Sequence, residues 1–162
     1  MINLDMTFED MKKEIGVIDC LFNEVLSENE TLEYFQKGAM LNIRYLFESL
    51  GNIDKELYQN YRDDIVQVFG ELQYNSFMHG NKFNPDLPIY LQILKGENGY
   101  IFRIEDCGNG FDVKDRLVKM KNGEKYYNNG GCGFSEFENS KKCIISYEGK
   151  GNIANLMWKK DN

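Results

Sequence analysis

Asn84, Pro85 and Pro88 divide this chain into two parts with different hydrophobic periods, and that break constrains the fold more than any other feature. Proline fixes φ and has no N–H to give, so a helix arriving from upstream stops here. Upstream, apolar residues recur at roughly 3.6-residue spacing, the repeat of a helix. Downstream they alternate at roughly 2, the repeat of a strand.

Thr7 can cap a first helix, with Asp10 three residues on, and Phe8, Met11, Ile15, Ile18, Phe22 and Val25 follow at helical spacing. Gly16 interrupts that stripe. A second stripe runs through Leu32, Phe35, Ala39, Ile43, Leu46, Phe47 and Leu50 and ends at Gly51. A third helix is expected from about Asp54 to about His79, with Ile65, Phe69, Leu72 and Ser76 facing inward. Beyond the prolines, Ile89–Leu94 and Tyr100–Glu105 read as a hairpin, with Asn98-Gly99 supplying the positive backbone angles of a tight turn. Residues 111–131 read as a long loop with a helical turn at Val113–Met120, and such loops in small domains are usually functional. A short helix starts within Phe134–Asn139, and Cys143–Tyr147 and Ile153–Lys159 are strands joined by a turn at Gly149-Lys150-Gly151.

Helices followed by hairpins predict an α+β fold, a two-layer α/β sandwich whose mixed, mostly antiparallel sheet carries helices on one face. A length of 162 residues fits one domain, 1–162, with a helical N-terminal extension over about 1–55. A net charge of −7 without any basic run argues against nucleic acid as a partner, because a phosphate backbone is held by clustered Lys and Arg. Cys20, Cys107, Cys132 and Cys143 form no Cys-x-x-Cys pair and the only histidine is His79, which argues against structural zinc. The first ten residues lack the apolar run of a signal peptide, and no stretch is long enough for a membrane span. Free cysteines without an export signal lead to the expectation of a cytoplasmic protein.

Polar residues gather in three places. Glu71, Asn75 and His79 are spaced four apart and share one helix face, followed by Gly80. Asn75 offers a neutral amide oxygen, a hard ligand suited to magnesium, and Glu71 can orient or deprotonate a nucleophile. A solvated helix face ending in a C-cap at His79-Gly80-Asn81 fits the same spacing. The second group, Asp106, Gly108, Gly110 and Phe111, follows a strand. Its carboxylate can accept a hydrogen bond from an exocyclic amine such as adenine's, and its glycines let the backbone approach a flat ring or a phosphate. An ordinary Asp/Gly turn would look alike. The third, Gly130, Gly131, Gly133 and Phe134, precedes an expected helix, where free N–H groups can bind phosphate, although a loop hinge is also compatible. Neither a Walker A loop nor a dinucleotide fingerprint is present.

In this order the groups resemble the motifs of the GHKL ATPase superfamily, which has the Bergerat ATP-binding fold and includes histidine kinase-like ATPases. Glu71-x-x-x-Asn75-x-x-x-His79 resembles its N box, Asp106-x-Gly108-x-Gly110 its first glycine box and Gly131-x-Gly133-Phe134 its second. Gly149-Lys150-Gly151-Asn152 resembles its closing Gly-x-Gly-Thr hairpin. The resemblance covers about residues 60–160 and is greatest to the anti-sigma-factor serine kinases, through Asn75-Ser76-Phe77-Met78-His79-Gly80 and Gly131 to Glu138. It implies Mg-ATP as cofactor and Glu71 as general base. It implies Asn75 as the Mg2+ ligand and Asp106 as the adenine contact. Gly108 and Gly110 would shape the adenine pocket, and Gly131, Gly133 and Phe134 would lie at the phosphates. His79, Gly80, Phe111 and Asn152 complete the nucleotide-binding set.

The implied function is a regulatory serine/threonine protein kinase acting on a small protein partner, sigma-factor-like or anti-anti-sigma-like. The chain departs from that pattern at three places. Asn128 and Asn129 stand where those kinases usually carry an arginine, Asn152 replaces their Thr, and the first 55 residues read as helical where those kinases usually begin with a strand. A missing cation near the γ-phosphate favours a non-catalytic ATP-dependent binding switch as the alternative. The stand-alone catalytic domain of a histidine kinase-like system is a third reading. A self-contained sensor kinase is not, because the only histidine lies in the N box. The stripe from Phe8 to Val25 offers a homodimer face or an ordinary packed one.

Overall fold

Thr7 and Asp10 form the reciprocal capping box that starts the first helix, α1 (Phe8–Ile15). The Asp10 N–H donates to the Thr7 hydroxyl oxygen at 3.1 Å, and the Thr7 N–H donates to the Asp10 carboxylate at 3.1 Å. In the computed structural model, which describes residues 1–26, 54–84, 86–124, 137 and 143–160, α1 ends at Gly16 with φ 62. The chain then turns into a strand, β1 (Val17–Leu26), instead of continuing as a helix.

This corrects the expected helix over Ile18, Phe22 and Val25, the part of the helical N-terminal extension that follows Gly16 within the described residues. Ile18, Phe22 and Val25 fit helical spacing because β1 is bulged between Val17 and Asp19 and again between Cys20 and Phe22. Each bulge adds a residue and breaks the strict alternation that would mark a strand. Pairing with the next strand decides the conformation, with Cys20 opposite Leu94 and Val25 opposite Tyr90. The chain therefore does begin its sheet near the N-terminus. The expected helix over Leu32–Leu50 lies outside the described residues.

Asp54 caps the long helix α2 (Lys55–Asn75) by accepting the Leu57 N–H at 3.1 Å. The winding then widens into a π-helical turn, Ser76–Gly80, closed by the Asn81 N–H on the Ser76 carbonyl at 2.8 Å. Strands β2 (Ile89–Gly96), β3 (Gly99–Asp106), β4 (Cys143–Glu148) and β5 (Ile153–Lys159) complete a five-stranded sheet in the order β1-β2-β3-β5-β4. Among the described residues all strand pairs are antiparallel, and the parallel component is a single bridge between Ile2 and Ile145. A third helix, α3 (Val113–Lys121), is capped by Asp112. The fold is thus α+β.

The β2–β3 turn forms at residues 97–98, but neither Asn98 nor Gly99 takes a positive φ. Its geometry comes from docking instead. The Glu97 and Asn98 N–H groups donate to the carbonyls of Gly16 and Ile15 at the end of α1. Gly99 is needed for proximity, since a β-carbon there would overlap the Trp158 carbonyl.

Alternation along the strands sorts the side chains onto two faces. Ile93, Phe102, Ile104, Ile145, Leu156 and Trp158 pack with Phe69, Leu72 and Phe77 of α2 and its π turn. Phe102 lies between Phe69 and Trp158, with ring centroids 5.2 and 5.4 Å away. On the opposite face Leu94, Ile101 and Met157 bury Met11 and Ile15 of α1. Helices therefore lie on both faces, the larger layer being α2. Beside α1, Arg103 donates to Glu148 and Asn155, each at 2.8 Å, and its guanidinium stacks 4.5 Å from the Phe8 ring. Among the described residues no helix is long and apolar enough to cross a membrane.

Candidate functional site

The two polar groups that sequence places far apart meet at one end of the sheet, where β3 ends, β5 begins and the π turn packs against them. Asp106 closes β3 and is buried at 7% exposure. Its carboxylate lies against Gly80, where a β-carbon would overlap it. Gly108 in turn lies against the Gly80 backbone, and a β-carbon there would overlap the Gly80 carbonyl. The two glycines are therefore spent on nesting the end of the helix into the Asp106 loop.

Burial pushes the Asp106 carboxyl above its ordinary 3.8, and the charge of Glu105 adds to the effect. The Gly108 N–H, at 2.8 Å from Oδ1, and the Ser76 hydroxyl oppose it by donating to the charged form. A carboxylate has room for about four hydrogen bonds, so acceptor capacity remains for a ligand. Burial also raises the neighbouring Cys107 thiol, followed by the charges of Asp106 and Glu105, so this exposed cysteine is not an activated nucleophile.

The β4–β5 turn is the third participant. The Asp106 N–H donates to the Asn152 carbonyl at 3.0 Å, and the Asn152 Nδ2 donates to the Asp106 carbonyl at 2.9 Å. The Phe111 N–H donates to the Lys150 carbonyl at 2.8 Å, and Gly110, at φ 69, leaves no room for a β-carbon beside that carbonyl. Phe111 then meets Tyr147 of β4 edge to face, with centroids 5.5 Å apart. Burial raises the Tyr147 phenol, and the negative charge of Glu71 raises it further, so Glu71 lies within electrostatic reach of the same ring.

Of the residues singled out from sequence, the structure brings together Gly80, Asp106, Gly108, Gly110, Phe111 and Asn152, with Glu71 near them through Tyr147. Asn75 is half-buried on the last turn of α2. His79 is exposed on the π turn. Gly131, Gly133 and Phe134 lie outside the described residues. Asn81 does close the helix, as the C-cap reading of that segment expects, but its side chain also reaches into the site. Sequence reasoning missed Ser76, Tyr147 and Lys150 as site residues. Ser76 was legible only as an inward-facing position, and nothing in the pattern of β4 distinguishes Tyr147 from a core aromatic.

Among the described residues no group of three or more His, Cys, Asp or Glu side chains is arranged to hold a metal ion. Asn75 remains the candidate donor, and one neutral oxygen suits an ion that arrives with phosphate and water ligands of its own. No protein-family model matches this sequence, and no curated protein matches it.

Proposed function

We propose that this chain is a Mg-ATP-binding regulatory protein of the GHKL type. The observation that carries this reading is the buried Asp106 carboxylate, held at a strand end by the Gly108 N–H and the Ser76 hydroxyl with acceptor capacity to spare. An exocyclic amine of adenine would meet that capacity and would offset the cost of keeping a charge out of water.

The proposed reaction is transfer of the γ-phosphate to a serine or threonine of a small protein partner, sigma-factor-like or anti-anti-sigma-like. ATP would supply the transferable group. Asp106 would hold the base, and Asn75 would hold Mg2+, which would neutralise charge on the phosphates. The resemblance implies that Gly131 and Gly133 lie at the phosphates. Glu71 takes the proton from the partner's hydroxyl as its oxygen bonds to the γ-phosphorus and the bond to ADP breaks. Asn128 and Asn129 favour a second reading, a switch that binds Mg-ATP without transfer, because they stand where an arginine would directly precede the second glycine group.

Thermal melting with and without millimolar Mg-ATP tests the binding. A ligand at 100 times its Kd stabilises the folded state by about 2.7 kcal/mol, a clear rise in Tm. The rise should vanish in Asp106→Asn and should need both magnesium and nucleotide. No rise in the wild-type protein would overturn the reading. Labelled γ-phosphate appearing on a serine or threonine of a partner supports the kinase, and nucleotide binding without transfer supports the switch.

A further inference from the structure

We infer that Asn81 and Asn152 are a pair of positioning residues, a clamp on the peptide unit after Asp106 that aims its carboxylate. This rests on the reading of Asp106 as the contact for the base.

The clamp is visible as hydrogen bonds to one peptide plane from two directions. The Asn152 Nδ2 donates to the Asp106 carbonyl at 2.9 Å, and the Cys107 N–H donates to the Asn81 Oδ1 at 2.9 Å. The carbonyl and N–H of a trans peptide point in opposite directions, so the two amides grip the plane from opposite sides. Turning it would break one bond or both. The next peptide along carries the Gly108 N–H, the donor to Asp106 Oδ1, so fixing the first plane limits where that N–H can point.

Each asparagine is itself held firmly. Asn81 is buried at 2% exposure, and its Nδ2 donates to the carbonyls of Leu87 at 2.8 Å and Pro88 at 3.2 Å. Its own N–H closes the π turn on Ser76. The chain leaves Asn81 through Lys82 and Phe83, both at positive φ, 53 and 59, without a glycine. The Phe83 N–H then returns to the Phe77 carbonyl at 2.9 Å. The Asn152 Oδ1 accepts the Lys150 N–H at 3.1 Å, so both ends of that side chain are occupied by backbone. A primary amide donates from one atom and accepts at the other, which this arrangement uses at both asparagines. Asn152 thus acts through Asp106, which accounts for its place in the site without contact to the nucleotide.

The experiment uses the full chain and the variants Asn81→Ala, Asn152→Ala and the double alanine variant, each checked for a cooperative melt. Affinities for Mg-ATP and Mg-ITP are compared, because inosine carries a carbonyl where adenine carries the amine. The titration of the Asp106 carboxyl is followed by carbon-13 NMR without nucleotide. The clamp predicts that each folded single variant loses roughly tenfold or more in ATP affinity with little change for ITP, and that the double variant loses little beyond the worse single one. It also predicts that the Asp106 midpoint falls toward its ordinary 3.8 as the carboxylate loosens into water. A general loss of stability would lower both affinities together. An unmoved Asp106 titration in a folded variant overturns the clamp. An unmoved ATP-to-ITP ratio with a moved titration overturns its role in recognition. If the wild-type protein binds neither nucleotide, the ATP reading fails and the titration alone decides the clamp. If Asn81→Ala does not fold, Asn152→Ala still decides it.

Discussion

Asp106 is stored in the fold at a cost, and the cost has a sign that can be checked. A carboxyl raised above its ordinary value is easier to keep neutral, so its ionisation at neutral pH works against folding. Asp106→Asn removes that charge and keeps an acceptor for the Gly108 N–H. In urea at neutral pH the ligand-free variant should be at least as stable as the wild-type protein, although it no longer responds to Mg-ATP. Gly80→Ala should do harm on both counts, because its methyl group would overlap the Asp106 carboxylate. A stability loss of about 1–3 kcal/mol in urea is expected from such overpacking, with loss of the nucleotide-induced rise in Tm. Sequence marked Asp106, Gly80 and Gly108 through their residue types. It left Tyr147 and the double use of Asn152 unread, since a hydrogen bond across the sheet leaves no trace in local pattern.

Among the elements, the limits of α2 were legible because Asp54 is a capping residue by type and Phe69 and Leu72 mark the buried face, and those of β5 because its apolar run follows the Gly149-Lys150-Gly151 turn. Asp54 also binds Lys95 at 2.6 Å and accepts from the Tyr100 hydroxyl at 3.3 Å. Asp54→Ala should lose about 1 kcal/mol for the cap and more for leaving Lys95 without its partner, about 2–4 kcal/mol in all by urea titration. Nucleotide affinity of the folded variant should be unchanged, because the site lies at the far end of the helix. The element that sequence misread is β1. Its two bulges gave Ile18, Phe22 and Val25 a helical rhythm, and only the partner strand β2 resolves the ambiguity. The π turn was equally hidden, being set by what Ser76 and Gly80 pack against rather than by their propensities.

For the whole molecule, opposing carboxylates shape the response to acid. Burial works against the ionised forms of Asp54 and Glu148, but their partners outweigh it and hold both below their ordinary 3.8 and 4.5. For Asp54 these are Lys95, the Leu57 N–H and the Tyr100 hydroxyl, and for Glu148 the Phe8 N–H, Arg103 and Asn155. Their contribution is fully present above those ordinary values and is lost as pH falls through the lower folded values. Asp106 contributes with the opposite sign, favouring the fold as it is protonated between its raised value and 3.8. Stability measured by urea across this range should therefore fall less steeply in Asp54→Asn with Glu148→Gln. It should fall more steeply in Asp106→Asn than in the wild-type protein.

The peptide after Asp106 draws together stretches of chain that are synthesised at quite different times. Asn81 lies 26 residues before Cys107, and Asn152 lies 46 residues after Asp106. A chain emerging from the ribosome therefore carries Asn81 and Asp106 well before it carries the β4–β5 turn that holds the Asp106 carbonyl. The hydrogen bonds around the Asp106 peptide are complete only once the β4–β5 turn is in place. Termination between Phe111 and Asn152 would leave Asn81 holding the Cys107 N–H with no amide on the Asp106 carbonyl.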